Sequence, residues 1–140
     1  MNGLSPKIPL TRDVSDGFSL TKTYDEMIKQ NFKNLVLTSP GERVMDPEFG
    51  VGIRQFLFEQ KINSTYDDIE DRIFKQASIY LPFIEITDIL FGSSTQALQG
   101  GQQQLEFIKE DENSLIIRIE YFIIPLGVSS ALEVPVDIIS

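Results

Sequence analysis

Glu42, Arg43, Asp46 and Glu48 crowd into the stretch LTSPGERVMDPEFGVG, residues 37–52, together with three glycines and two prolines. Two carboxyls at a suitable separation are enough for glycoside hydrolysis, one as general acid and the other as base or nucleophile. Glu42 with Asp46 or Glu48 would make such a pair, which is the chemistry of a carboxylate-dependent peptidoglycan hydrolase. A general acid also needs a desolvated cleft, however, and a chain with 21 acidic residues offers many such pairs by chance. Gly50-Val51-Gly52 resembles the start of a phosphate cradle but lacks a third glycine and a following Lys-Ser/Thr pair. The chain has no histidine and no cysteine. Ser-His-Asp and Cys-His mechanisms, zinc–thiolate sites and disulfides are therefore excluded.

The same stretch also has a purely structural reading. Pro40-Gly41 ends a helix, because proline presets the second position of a tight turn and glycine accepts the positive φ that follows. Asp46-Pro47-Glu48 reads as a helix cap, a proline at the first helical position and an acidic residue, opening one helical turn. Arg43 is then expected to neutralise Glu42, Asp46 or Glu48, while Phe49, Phe56 and Phe58 fasten the corner to the core.

Hydrophobic spacing places the elements around this corner. Thr23 to Glu26 is a capping box, and Tyr24, Met27, Ile28, Phe32, Leu35 and Val36 recur at helical intervals, which predicts a helix over 23–37. Ile53, Phe56 and Leu57 predict a short amphipathic turn ending near Gln60. Tyr66, Ile69, Ile73, Ala77 and Tyr80 predict a second long helix from Thr65 to residue 80, stopped before Pro82. The Asp67, Asp68, Glu70, Asp71 group lacks the alternation and glycine of a calcium loop and reads as a solvated helix face.

Beyond Pro82 the period becomes two, with strands predicted at 84–91, 105–108 and 114–124. Residues 110–113 are expected to turn the second of these onto the third. Within the third strand, Leu115, Ile117, Ile119, Tyr121 and Ile123 share a face. The run ALEVPVDIIS, 131–140, is strand-like, and Pro135 confines it to an edge. Residues 92–104, rich in Gly, Gln and Ser, read as a flexible loop, and 1–22 as an extended arm with one short hairpin. Helices first and strands later predict a single α+β domain over 1–140, with two main helices and one short helix on one face of an antiparallel sheet.

Composition narrows the partners. With 41% hydrophobic and 24% charged residues the chain is expected to fold as a soluble globular protein. Its net charge of −9 repels phosphate backbones, so nucleic acid is not an expected partner. No apolar run approaches the ~20 residues of a membrane span, and the N-terminus lacks the pattern of a signal peptide.

Residues 35–59, LVLTSPGERVMDPEFGVGIRQFLFE, resemble the hallmark of a family of small baseplate wedge proteins of contractile phage tails, also found in type VI secretion and related injection machines. The match rests on Leu37-Thr38, Gly41-Glu42-Arg43, Pro47, Phe49-Gly50 and Leu57-Phe58, and extends over about residues 8–124. The resemblance implies a fold similar to the strand-exchange part of tail sheath proteins. It implies a non-enzymatic sheath initiator in a virion tail baseplate or a phage-derived injection particle, made in the host cytoplasm. Its partners would be the tail sheath protein, the wedge core bundle and neighbouring baseplate or tube-hub subunits, with no cofactor, membrane or nucleic acid. Some members have been labelled lysozyme-like. The family's Glu-Pro-Arg motif, implicated in wedge binding, falls where this chain reads Leu81-Pro82-Phe83. Either that contact has become apolar in this chain or the anchoring has shifted to the Glu42-Arg43 corner, and the residues assigned to wedge docking are Glu42, Arg43, Asp46, Pro47 and Pro82. The strands assigned to face the sheath carry Ile117, Ile119, Tyr121, Ile123, Val134, Val136 and Ile138.

Overall fold

The computed structural model describes residues 3–14, 17–56, 63–92 and 114–137. The N-terminal arm pairs with itself in two short antiparallel ladders, β1 (Ser5–Pro6) with β4 (Leu20–Thr21), and β2 (Arg12–Asp13) with β3 (Gly17–Phe18). Gln30 ties it to the first helix, accepting from the Ile8 N–H (3.0 Å) and donating to the Pro6 carbonyl (2.9 Å).

Helix α1 (Tyr24–Leu37) starts where the capping box puts it. The Thr23 hydroxyl accepts from the Glu26 N–H at 3.3 Å, and the Glu26 carboxylate reaches back to the Lys22 N–H. Ile28, Phe32, Leu35 and Val36 form its buried stripe. A short helix, α2 (Ile53–Phe56), precedes α3 (Asn63–Tyr80), which begins two residues earlier than the capping signature at Thr65 predicts. Thr65 is instead buried within the helix. Ile69, Ile73 and Ala77 are its inward face, whereas Asp67, Asp68 and Asp71 are exposed.

The helices cover one face of a three-stranded antiparallel sheet ordered β5 (Ile84–Gly92), β6 (Ser114–Ile123), β7 (Val128–Asp137). The α+β class and the helices on one face are as expected. Two details differ. Residues 105–109, expected to pair with 114–124, lie outside the described residues, and from Ile116 to Ile123 both edges of β6 are already taken by β5 and β7. The edge strand also begins at Val128 instead of residue 131, because Gly127, at φ +64°, closes a tight turn with its N–H on the Ile123 carbonyl.

Being central changes what β6 can do. Ile117, Ile119, Tyr121 and Ile123 are fully buried under the helices, as is Val134 of β7, so none of these side chains faces a partner. Phe32 meets Tyr121 edge to face at 5.3 Å, the centre of the core. The Tyr121 phenol is held above its usual pKa chiefly by this burial, with nearby Asp25 adding to the effect and the neighbouring Ser130 side chain opposing it. Val136 lies on β7 opposite Leu115, and Ile138 lies outside the described residues.

Candidate functional site: the corner and the open sheet edge

The corner between α1 and α2 consists of two stacked turns. Pro40-Gly41 occupies the centre of the first, closed by the Glu42 N–H on the Ser39 carbonyl (3.1 Å), with Gly41 at φ +92°. Asp46-Pro47-Glu48-Phe49 forms the second, closed by the Phe49 N–H on the Asp46 carbonyl at 3.2 Å. It is a tight turn and not the helical turn that the cap-like residues suggest, because the chain must reverse to reach the end of α1. The two turns are tied together by the Gly41 N–H on the Pro47 carbonyl at 2.8 Å.

The returning strand of the corner then supplies hydrogen bonds to the C-terminal carbonyls of α1. Val51 N–H donates to the Leu35 carbonyl (3.0 Å) and Gly52 N–H to the Thr38 carbonyl (2.9 Å). Gly50 has φ +116°, and a Cβ there would run into the Thr38 carbonyl, so only glycine permits this close approach. From the other side, α3 clamps the same segment with one side chain. Gln76 accepts from the Gly50 N–H at 2.9 Å and donates to the Glu48 carbonyl at 3.0 Å.

Arg43 does not pair with the corner carboxylates. Ion pairs form elsewhere, joining Lys7 to Glu26, and Arg118 to Glu120 and Glu133. The Arg43 guanidinium lies instead 3.8 Å from the centroid of the Phe49 ring, a cation–π contact on a buried aromatic that the corner itself supplies. Tyr80 meets the same ring edge to face at 4.8 Å. Its phenol is pushed above its usual pKa by desolvation first, then by the hydrogen bond and charge of Asp46 and the charge of Glu48, with Arg43 opposing. Glu42 is exposed, and its Oε2 accepts the Ser39 N–H at 3.2 Å, so it serves as a turn brace.

Tyr80 is the last residue of α3, and Leu81-Pro82-Phe83 follows at once as a turn, with the Ile84 N–H on the Leu81 carbonyl. Leu81 is buried, Phe83 half-buried and Pro82 exposed. Glu42, Arg43, Asp46, Pro47 and Pro82, far apart in sequence, thus belong to neighbouring turns joined by the Phe49–Tyr80 contact. Sequence reasoning missed Gln76 and Tyr80 as their link. Their only signal was position, since both lie near the end of a helix whose inward face is otherwise apolar.

The second surface is the outer edge of β7, which has no partner strand among the described residues. Pro135 pairs with Ile116 in an unbroken ladder although it cannot donate. That pair must therefore be a non-hydrogen-bonded one, and alternation puts Glu133, Ala131 and Ser129 in the same phase. Their N–H and C=O groups point away from β6, toward the open edge.

The corner carboxylates give no hydrolytic geometry. Glu42 and Glu48 are exposed and Asp46 is half-buried against Tyr80, so no pair shares a desolvated cleft. Among the described residues no cluster of acidic side chains is placed to hold a metal ion. Together these parts make a scaffold: a helix-backed sheet with a braced corner and, along β7, an outer edge without a partner strand among the described residues. Several solved structures share that fold. One is a candidate tail lysozyme of Geobacter sulfurreducens, 24% identical, covering 87% of this chain and 97% of its own, with a TM-score of 0.66. Another belongs to the baseplate of the anti-feeding prophage, 23% identical, covering 85% of this chain and 83% of its own, with a TM-score of 0.63. No curated protein matches the sequence significantly.

The particular family follows from the sequence match over residues 22–124 to the model of baseplate wedge protein gp25. The chain belongs to this family, which gives it a structural part in a baseplate.

Proposed function

We propose that this subunit docks on the core bundle of the baseplate wedge through the corner and the adjoining Pro82 turn, and starts the sheath by accepting a strand along β7. The carrying observation is the edge position of β7, whose ten residues pair with β6 on one side only among the described residues. An edge of this kind is a template for main-chain pairing with another chain, and the alternating side chains of the incoming strand set its register. The partner groups are the outward backbone donors and acceptors of Ser129, Ala131 and Glu133 in place of the buried side chains of β6. Arg43, stacked on Phe49, fixes the shape of the corner, while Glu42, Asp46 and Glu48 give it its charge.

The proposal is tested by a cryo-electron microscopy map of the assembled tail tip. A sheath strand hydrogen-bonded to β7, with the corner against the wedge bundle, is the expected result. A first sheath ring seated elsewhere, or β7 covered by a different baseplate protein, refutes it.

A further inference from the structure

The corner has a feature that docking through its charges leaves unused. Val44 and Met45 stand at its tip with 94% and 95% of their surface exposed. They are carried on a segment whose ends are tied by the Gly41–Pro47 bond, by the Arg43–Phe49 stack and by the Gln76 clamp. The conformational cost of holding this loop is therefore met within the fold, and its tip reaches a partner already ordered. Ile79, also exposed, lies three residues beyond Gln76 and so on the flank of α3 that clamps the corner. Around the tip lie the carboxylates of Glu42, Asp46 and Glu48, while Arg43 is engaged on the Phe49 ring and Arg72 of α3 is turned to the far end of the corner, on the Val51 carbonyl and the Phe56 ring.

We infer that Val44 and Met45 form an apolar plug that enters a hydrophobic socket rimmed by lysine or arginine on a neighbouring baseplate subunit. This rests on the reading of the corner as a docking surface and names the chemistry of its partner. The acidic surround selects a basic rim by charge complementarity and turns away phosphate backbones and anionic lipid surfaces. A second copy of this chain fits poorly, because a two-fold contact through the tip would bring two sets of the same carboxylates together.

The test uses the full chain assembled with the wedge subunits of its own particle in the absence of sheath protein, reading the amount retained in purified baseplates. The double variant Val44→Ser, Met45→Ser is expected to be retained about tenfold less than the unmodified chain, with an unchanged melting temperature since both side chains are exposed in the free protein. Val14→Ser, which alters an equally exposed residue on the N-terminal arm, should be retained fully. Retention of the unmodified chain should fall as salt rises from about 0.05 to about 0.5 M, as expected for a charged rim. Full retention of the double variant overturns the plug, as does equal loss of Val14→Ser, and retention that rises with salt overturns the basic rim. If the unmodified chain is itself missing from sheath-free baseplates, the docking reading fails as a whole, a result distinct from failure of the plug alone.

Discussion

Replacing Ala131 with proline tests the proposed sheath initiation apart from folding. Ala131 lies opposite Glu120 at a pair of the same phase as Pro135–Ile116, so its N–H is directed at the open edge and takes no part in the β6–β7 ladder. Proline at this position removes one donor from the edge and leaves the existing sheet paired, as Pro135 already does two pairs further along the same phase. An incoming strand would lose the central bond of the row formed by Ser129, Ala131 and Glu133, and the ring would hold its backbone away from the neighbouring bonds. With each main-chain bond worth roughly 1 kcal/mol net, losing two or three amounts to about 2–3 kcal/mol, or about 30- to 150-fold in strand affinity. The assay is sheath polymerisation on baseplates carrying the variant, scored as the fraction of tails with sheath, beside thermal unfolding of the isolated chain. Sheathless baseplates with an unchanged melting temperature are expected. Sheaths of normal frequency and length on the variant would refute the assignment of β7 as the acceptor. Truncating the whole strand is a poorer test, because Leu132 and Val134 are core residues and their loss would unfold the sheet.

Other perturbations bear on the corner. Gly50→Ala forces a side chain into the Thr38 carbonyl at a left-handed φ and should lower stability by about 2–4 kcal/mol, seen as a lowered denaturant midpoint. Gln76→Ala removes both arms of the clamp and leaves the Gly50 N–H unpaired, costing about 1–3 kcal/mol by the same measurement; a loss within error would show that the clamp is idle. Tyr80 ionises at a higher pH in the folded chain than its ordinary value of 10.0, so the unfolded state loses its proton first. Its contribution is therefore intact below pH 10.0 and declines as pH rises through the folded pKa, and Tyr80→Phe should flatten this alkaline part of the stability profile. In a cell-wall turnover assay neither the unmodified chain nor Glu42→Gln should release peptidoglycan fragments, and cleavage that Glu42→Gln abolishes would restore the hydrolase reading.

Periodicity made the helices and the sheet legible, because burial imposes it directly. The stripe Ile28, Phe32, Leu35 and Val36 and the alternation Ile117, Ile119, Tyr121 and Ile123 are what a helix and a strand must show against one core. That same alternation did not show which way the row faces. A row of apolar side chains on one face looks alike whether it awaits a partner or already lies under a helix, and only the strand order decides. Corner chemistry was legible as to its breakers, since Pro40 and Gly41 do what their backbones dictate. The destination of Arg43 was not, because a guanidinium among carboxylates and an aromatic ring has two kinds of partner, and Phe49 is placed by the second turn. The start of β7 was hidden by Ser129 and Ser130, which interrupt the apolar alternation that begins again at Leu132.

The bonds from Val51 and Gly52 onto the end of α1 bear on how the subunit carries force. A pull on the corner does not have to stretch a loop, because the loop is bonded to the helix terminus through the Leu35 and Thr38 carbonyls. From there the path runs along the axis of α1, through Phe32 against Tyr121, into β6 and across its ladder to β7. Every link is a hydrogen bond or a close-packed core contact, so the corner and the open edge are joined by a short, stiff strut. A shift of the wedge would then reach the strand edge as a displacement with little slack.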